Sequence, residues 1–180
     1  MNLIKKVEEL KSSPISHVIS KRISEFENVD DLFCELCFCL MTAGFRADKS
    51  IEIQNKVGSR FHDLEKEKLE KTLKEMGHRF WPQRADRIVK ARGHKDFLKD
   101  LMNKDSDVAR SWLVDNIYGM GMKEASHFLR NVGKKDVAIV DFHIVDLLNR
   151  EGLIEKPKTI SPKKYVEIEN VLKSLGEKLS

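Results

Sequence analysis

The stretch 117–143, Ile-Tyr-Gly-Met-Gly-Met-Lys-Glu-Ala-Ser-His-Phe-Leu-Arg-Asn-Val-Gly-Lys-Lys-Asp-Val-Ala-Ile-Val-Asp-Phe-His, decides how this chain is read. Gly119 and Gly121 stand where one helix must stop and the next must start within a few residues. Glycine permits positive φ, and with no Cβ it lets backbone N–H groups come close to an anion. The helix that follows, predicted over 122–132, adds its dipole and its unpaired N–H groups. Gly-x-Gly alone is equally the mark of an ordinary turn between two antiparallel helices. Lys123 tips the balance. It falls in the first turn of that helix, where the dipole disfavours a cation, so the side chain is either reaching for solvent or in use. Eighteen residues on, Asp141 closes the apolar, extended-looking run Val137-Ala138-Ile139-Val140 and is a candidate N-cap for a helix over 142–150. Capping and chemistry are compatible, because a cap holds the carboxylate in one orientation. A hairpin that can hold a phosphate, an amine beside it and a carboxylate nearby suit covalent chemistry on a nucleotide in DNA.

Outward from this stretch the periodicity is helical almost throughout. Leu3, Val7 and Leu10 make one apolar stripe, and Pro14 can open a second helix with Ile15, Val18, Ile19, Ile23 and Phe26 facing inward. Asp30 or Asp31 can cap a third, running to about Met41 and apolar on most sides. Further helices are predicted from Ala47 to about Phe61, from Leu64 to about Met76 with Gly77 as its terminating glycine, from Pro82 to about Ala91, and from His94 to Met102. Asp105 or Ser106 caps the helix leading into the hairpin, and a last helix spans 162–178. No segment alternates with period two for long. The predicted fold is all-α, one domain over 1–180, with two helical subdomains flanking a cleft and a helix-hairpin-helix at about 107–132.

Composition sets bounds on function. Charged residues are 34% of the chain, but 33 basic and 29 acidic residues leave a net charge of only +4. That excludes a histone-like polycation and leaves room for a local basic patch. Cys34, Cys37 and Cys39 mimic a metal knuckle in spacing. They lie in an apolar run, Leu-Phe-Cys-Glu-Leu-Cys-Phe-Cys-Leu-Met, with no second Cys or His pair at ligand distance, so they are expected to be buried small side chains and no metal site is expected. Free thiols point to a reducing compartment. The N-terminus, with Lys5, Lys6, Glu8 and Glu9, is no signal peptide, and no apolar stretch is long enough to span a bilayer.

The pattern of Ile117, Gly119, Gly121, Lys123 and Asp141, with His143 two residues further on, resembles the helix-hairpin-helix DNA glycosylases. Gly-Met-Lys-Glu-Ala-Ser-His-Phe-Leu-Arg-Asn-Val-Gly followed by Ala-Ile-Val-Asp-Phe-His-Ile is similar to the archaeal-type second family of 8-oxoguanine DNA glycosylase/AP lyases, densely over 106–150 and again from Arg79-Phe80 to Arg92. The resemblance implies a bifunctional enzyme. Lys123 is the nucleophile, Asp141 stabilises charge on the sugar, and Gly119, Gly121, Arg79, Phe80 and His143 contact DNA. It implies double-stranded DNA with oxidised guanine as partner, no membrane, a monomer, a cytoplasmic and nucleoid-associated location, and no cofactor beyond a monovalent cation at the hairpin carbonyls. Arg79 and Phe80 could fill the gap left by a flipped base or, with Trp81, plug the core. Arg84 and Arg87 share a helical face that either contacts phosphate or is solvated. Lys134 and Lys135 complement a helix end, and His127 is expected to pack. Two features depart from the family: Tyr118 replaces the usual hairpin proline, and the sequence stops at Ser180, short of the aromatic, lysine-ended tail that family members use to hold the base, so that either this copy is shortened or the tail lies outside residues 1–180. The base-reading residues therefore stay unassigned. Competing readings are a non-catalytic helix-hairpin-helix module, which would need neither Lys123 nor Asp141, and a glycosylase for another oxidised base.

Overall fold

A computed structural model describes residues 2–179, and among them every regular element is helical. In chain order these are α1 (Asn2–Lys11), α2 (Ile15–Glu27), α3 (Leu32–Thr42), α4 (Ala47–Val57), a 3-10 turn (Gly58–His62), α5 (Lys66–Glu75), α6 (Trp81–Ala91), a second 3-10 turn (Arg92–Phe97), α7 (Leu98–Met102), α8 (Ser106–Asn116), α9 (Met122–Asn131), α10 (Phe142–Arg150) and α11 (Pro162–Glu177). The all-α expectation holds. The helices predicted over Ala47–Phe61 and His94–Met102 each prove to be an α-helix joined to a 3-10 turn.

The architecture is organised by α3. It is apolar all round and buries Phe33, Leu36, Cys37, Phe38, Cys39, Leu40 and Met41, the signature of a helix surrounded by others. Asp31 caps it by accepting from Cys34 N at 2.9 Å. Its one acidic side chain, Glu35, accepts from Asn131 Nδ2 of α9 at 2.6 Å and from Gln54 Nε2 of α4 at 3.2 Å. The three cysteines behave as core side chains: Cys37 and Cys39 are buried and Cys34 donates to Gly58 O at 3.2 Å. Burial, with Asp31 and Glu35 nearby, pushes the Cys34 thiol up to about 12.

A second, smaller core lies beyond the hairpin. Val140, Val145, Leu148, Tyr165, Ile168 and Leu175 form it, with Met122 and with Leu3 and Ile4 of α1 packed on its edge. Lys11 closes the circuit by donating to Leu179 O. The chain thus forms two helical subdomains, one built on α3 and one on α10 and α11. The hairpin motif, α8 and α9, packs in the larger core through Ala109, Leu113, Ala125, Phe128 and Leu129 and touches the smaller one through Met122.

One expectation fails. The inward face assigned to Ile15, Val18, Ile19 and Ile23 is exposed, with Val18 at 62%, and α2 buries nothing. The period is helical as predicted, but only the C-terminal end of α2 is anchored. There Phe26 and Glu27 abut Gly133, and Glu27 pairs with Lys135. No described element covers the rest of the stripe. Of the α1 stripe, Leu3 packs on the smaller core while Leu10 is 52% exposed.

The two subdomains are joined by a buried ion pair. Arg110 of α8 donates from Nη1 to Glu169 Oε1 of α11 at 2.6 Å, and both side chains are almost fully buried. Removing one partner of such a pair strands the other charge. Glu169→Ala should therefore destabilise the fold by about 3–5 kcal/mol, read as a lowered urea midpoint, whereas Glu167→Ala, on the exposed face of the same helix, should cost under about 1 kcal/mol.

Candidate active site

The hairpin is built from the end of α8 and the start of α9. Ile117 is buried and carries the chain out of α8, and Met120 N donates back to Ile117 O at 3.0 Å. Between them Gly119 has φ +79°, a left-handed turn. A Cβ there would also collide with Arg87 Nε, because the Arg87 side chain of α6 lies flat on the turn and donates from Nη1 to Gly119 O at 3.2 Å. Gly121 plays a different part. Its backbone is extended, it is the N-cap of α9, and a Cβ there would meet only the end of the Glu124 side chain at 3.2 Å. Of the two glycines, Gly119 is the one the turn cannot do without. Tyr118, at the tip, is 60% exposed, with Lys90 Nζ 4.4 Å from its ring.

Lys123 and Asp141 line one cleft of about 390 Å³, together with Met122, Glu124, Val140, Phe142, Ile160, Pro162 and Tyr165. Each is placed by a helix start. Lys123 is in the first turn of α9, and among the described residues its ammonium has no hydrogen-bond or ion-pair partner. Asp141 is the N-cap of α10, its Oδ1 accepting from Ile144 N at 3.0 Å. The cap uses one oxygen and leaves the other for the cleft. Phe142, at 62% exposure, forms an apolar lip beside them.

The structure does not bring the other predicted residues into this cleft. His143 is exposed in the first turn of α10. Arg79 is exposed, with its guanidinium 5.0 Å from the Phe80 ring. Phe80 is half-buried. Its loop is anchored by His78, which is buried, bonds Met41 O at 3.0 Å through Nε2, and accepts from Phe80 N through Nδ1 at 3.2 Å. Trp81 packs on the large core, with Lys74 over its ring at 5.3 Å. The shared face assigned to Arg84 and Arg87 needs correction. Arg84 is buried beneath Phe80 and donates to Ala43 O, so it is not a solvated or phosphate-facing residue, while Arg87 braces the hairpin. Lys134 donates to Lys104 O at 2.8 Å and Lys135 pairs with Glu27, so both tie helix ends together.

His127, one turn after Lys123, packs edge-on against Phe38 at 5.7 Å, as expected of a packing residue. Burial, and then the charge of Lys123, lower it from 6.5 to about 4, so it is neutral near pH 7. Sequence reading missed Glu124, Phe142, Ile160, Pro162 and Tyr165 as cleft residues. Glu124 and Phe142 carry a signal in being adjacent to Lys123 and Asp141. For Ile160, Pro162 and Tyr165 there is none, since only the packing of α11 brings them there.

Two helices joined by a glycine hairpin, with a lysine opening the second and an aspartate across a cleft, define the helix-hairpin-helix glycosylase class. The model of the 8-oxoguanine DNA glycosylase family with this motif matches residues 19–180. The 8-oxoguanine DNA glycosylase/AP lyase of Methanocaldococcus jannaschii is 50% identical over all of this chain and 90% of its own length, and that of Korarchaeum cryptofilum is 42% identical over 98% of this chain and 88% of its own. The crystal structure of the Methanocaldococcus jannaschii enzyme in complex with a 15mer DNA containing 8-oxoguanine superimposes with a TM-score of 0.94 at 49% identity, covering 100% of this chain and 90% of that one. The chain belongs to the 8-oxoguanine DNA glycosylase/AP lyase family.

Two outcomes follow from the geometry. Gly119→Ala should cost about 1–3 kcal/mol of stability through backbone strain and displacement of Arg87, while Gly121→Ala should cost under about 1 kcal/mol, both measured by urea unfolding. The lowered His127 makes the unfolded chain bind a proton below 6.5 that the fold refuses until about 4. Stability is therefore full above pH 6.5 and falls as pH drops from 6.5 to 4, by up to about 3 kcal/mol. His127→Gln should flatten that part of the stability–pH curve.

Proposed function

We propose that this protein excises 8-oxoguanine from double-stranded DNA and then nicks the strand by β-elimination, with Lys123 as nucleophile and Asp141 as electrostatic stabiliser. The observation that carries the reading is that Lys123 and Asp141, eighteen residues apart, face one cleft beside the glycine hairpin in a chain of this family. The relative from Methanocaldococcus jannaschii was crystallised with DNA containing 8-oxoguanine, which supports the same class of substrate here. Residues 1–180 act as one glycosylase domain, as a monomer, on genomic DNA in the cytoplasm. Among the described residues no helix is long and apolar enough to cross a membrane.

The hairpin N–H groups and the start of α9 hold a phosphate of the damaged strand. The nucleotide leaves the stack, at a cost of about a few kcal/mol. Phe80, with Arg79, occupies the gap and meets the orphaned base, while His143 contacts the backbone. In the cleft the unprotonated Lys123 amine attacks C1′. The C1′–N9 bond breaks and its electron pair leaves with the base, which takes up a proton. Positive charge that builds on the sugar faces the Asp141 carboxylate, already fixed by its cap and so needing no reorganisation. The ammonium formed on Nζ loses a proton, its lone pair then breaks the C1′–O4′ bond, O4′ takes up a proton, and an iminium joins C1′ and Nζ. Loss of a C2′ proton then expels the 3′ phosphate, which is the strand nick, and water releases the lysine.

The family resemblance also implies a monovalent cation at the hairpin. Among the described residues Ile117 O accepts only from Met120 N, which leaves a second lone pair for it, whereas Gly119 O faces the Arg87 guanidinium. Such a cation would add positive charge behind the phosphate-binding N–H groups, and no chemical step passes through it.

Borohydride should trap a covalent adduct between the protein and an 8-oxoguanine duplex. Lys123→Gln should abolish the adduct and keep DNA binding, because the hairpin is unchanged. Asp141→Asn retains a capping side chain and should keep the fold while slowing excision by about a hundredfold. Trapping at wild-type yield by Lys123→Gln would place the nucleophile elsewhere.

A further inference from the structure

The segment 136–140 carries Asp141 to its place and lies in no helix or strand, so its backbone groups need other partners. Two residues of α11, one turn apart, supply them. Tyr165 Oη donates to Ala138 O at 2.8 Å and accepts from Val140 N at 3.0 Å. Glu169 Oε1 accepts from Ala138 N at 2.7 Å and from Arg110 Nη1 at 2.6 Å. The same Arg110 nitrogen donates at 3.2 Å to Ser126 Oγ, on α9 one turn after Lys123. Arg110, Ser126, Tyr165 and Glu169 are all buried.

The cluster therefore grips two things at once: the residue immediately before Asp141 and the helix that carries Lys123 in its first turn. The N-cap bond fixes the Asp141 carboxylate relative to α10 alone. It says nothing about where α10 starts relative to α9. The Tyr165 hydroxyl supplies that constraint, because it is bonded on both sides of Ile139 and its ring also lines the cleft. We infer that Tyr165 is a positioning residue, whose paired hydrogen bonds to Ala138 and Val140 set the Asp141 carboxylate against the Lys123 amine. The inference rests on the roles given to Lys123 and Asp141 above. The hydroxyl does not reach the reacting atoms; it acts through the backbone.

The test is a double-mutant cycle on single-turnover excision from an 8-oxoguanine duplex. Tyr165→Phe keeps the ring and loses both hydrogen bonds. It should slow excision about tenfold while the duplex Kd moves by less than about twofold, a plausible scale for a misplacement of under 1 Å. In an Asp141→Asn background the same change should cost less than about twofold, since the group it positions is gone. Leu148→Ala controls for softening. It opens a cavity in the same core without touching these hydrogen bonds, and should retain the wild-type rate at a comparable loss of melting temperature. A wild-type rate in Tyr165→Phe, an equal cost in both backgrounds, or an equal fall in Leu148→Ala would each overturn the inference. Should Tyr165→Phe yield no folded protein, Tyr165→His, whose shorter ring cannot reach Ala138 O and Val140 N, carries the same cycle with the same criteria. Wild-type protein that neither excises nor crosslinks would instead dispose of the catalytic reading itself.

Discussion

The buried pair between Arg110 and Glu169 is the constraint on which the rest of this structure depends. A guanidinium and a carboxylate withdrawn from water are tolerable only when each is closely partnered. Arg110 meets Glu169, Ser126 and Asp107, and Glu169 meets Arg110 and Ala138 N. Those partners come from α8, α9, α11 and the segment that precedes α10. The pair can be satisfied only when both helices of the hairpin motif and both sides of the cleft are in place. Hydrophobic burial drives the two cores together without specifying their register; a desolvated, directional pair supplies that specificity.

The hairpin shows a second kind of dependence. Gly119 is required less by an anion than by Arg87, which occupies the space a side chain would fill and donates to the same residue's carbonyl. The turn is thus held from behind by α6, in the larger subdomain. Arg84, one turn earlier on α6, is turned inward to Ala43 O. Two arginines that look equivalent on a helical wheel therefore do different work. One supports Phe80 and the core, and the other the glycine turn.

Lys123 and Asp141, the two groups proposed to react, both sit at helix starts, where the physics treats them oppositely. The dipole favours an anion at the start of α10, so Asp141 gains a hydrogen bond and keeps its charge in a fixed direction. The dipole disfavours a cation at the start of α9, where Lys123 stands without a partner among the described residues. The fold leaves the amine uncommitted and the carboxylate committed, which suits a nucleophile and an electrostatic stabiliser.

Much of this was legible in the sequence, and what was legible is local. The Gly-x-Gly hairpin, the lysine in the following first turn, the aspartate cap of 142–150, the terminating Gly77 and the all-round apolar helix at 32–42 are each set by interactions within a few residues, so spacing and residue type suffice. What the sequence did not reveal depends on which faces meet. Ile15, Val18, Ile19 and Ile23 have a core-facing period, yet α2 is anchored only at its end, because period describes a face and not what covers it. Tyr165 and Glu169 look like unremarkable members of an amphipathic helix, and only the packing of α11 onto 136–140 makes them clamps. The sequence by itself determined the helices, the hairpin and the pair of chemical groups, through local hydrogen bonding and chirality. Tertiary structure alone decided that Lys123 and Asp141 share one cleft and that a buried ion pair holds them there, since both facts rest on contacts between residues far apart in the chain.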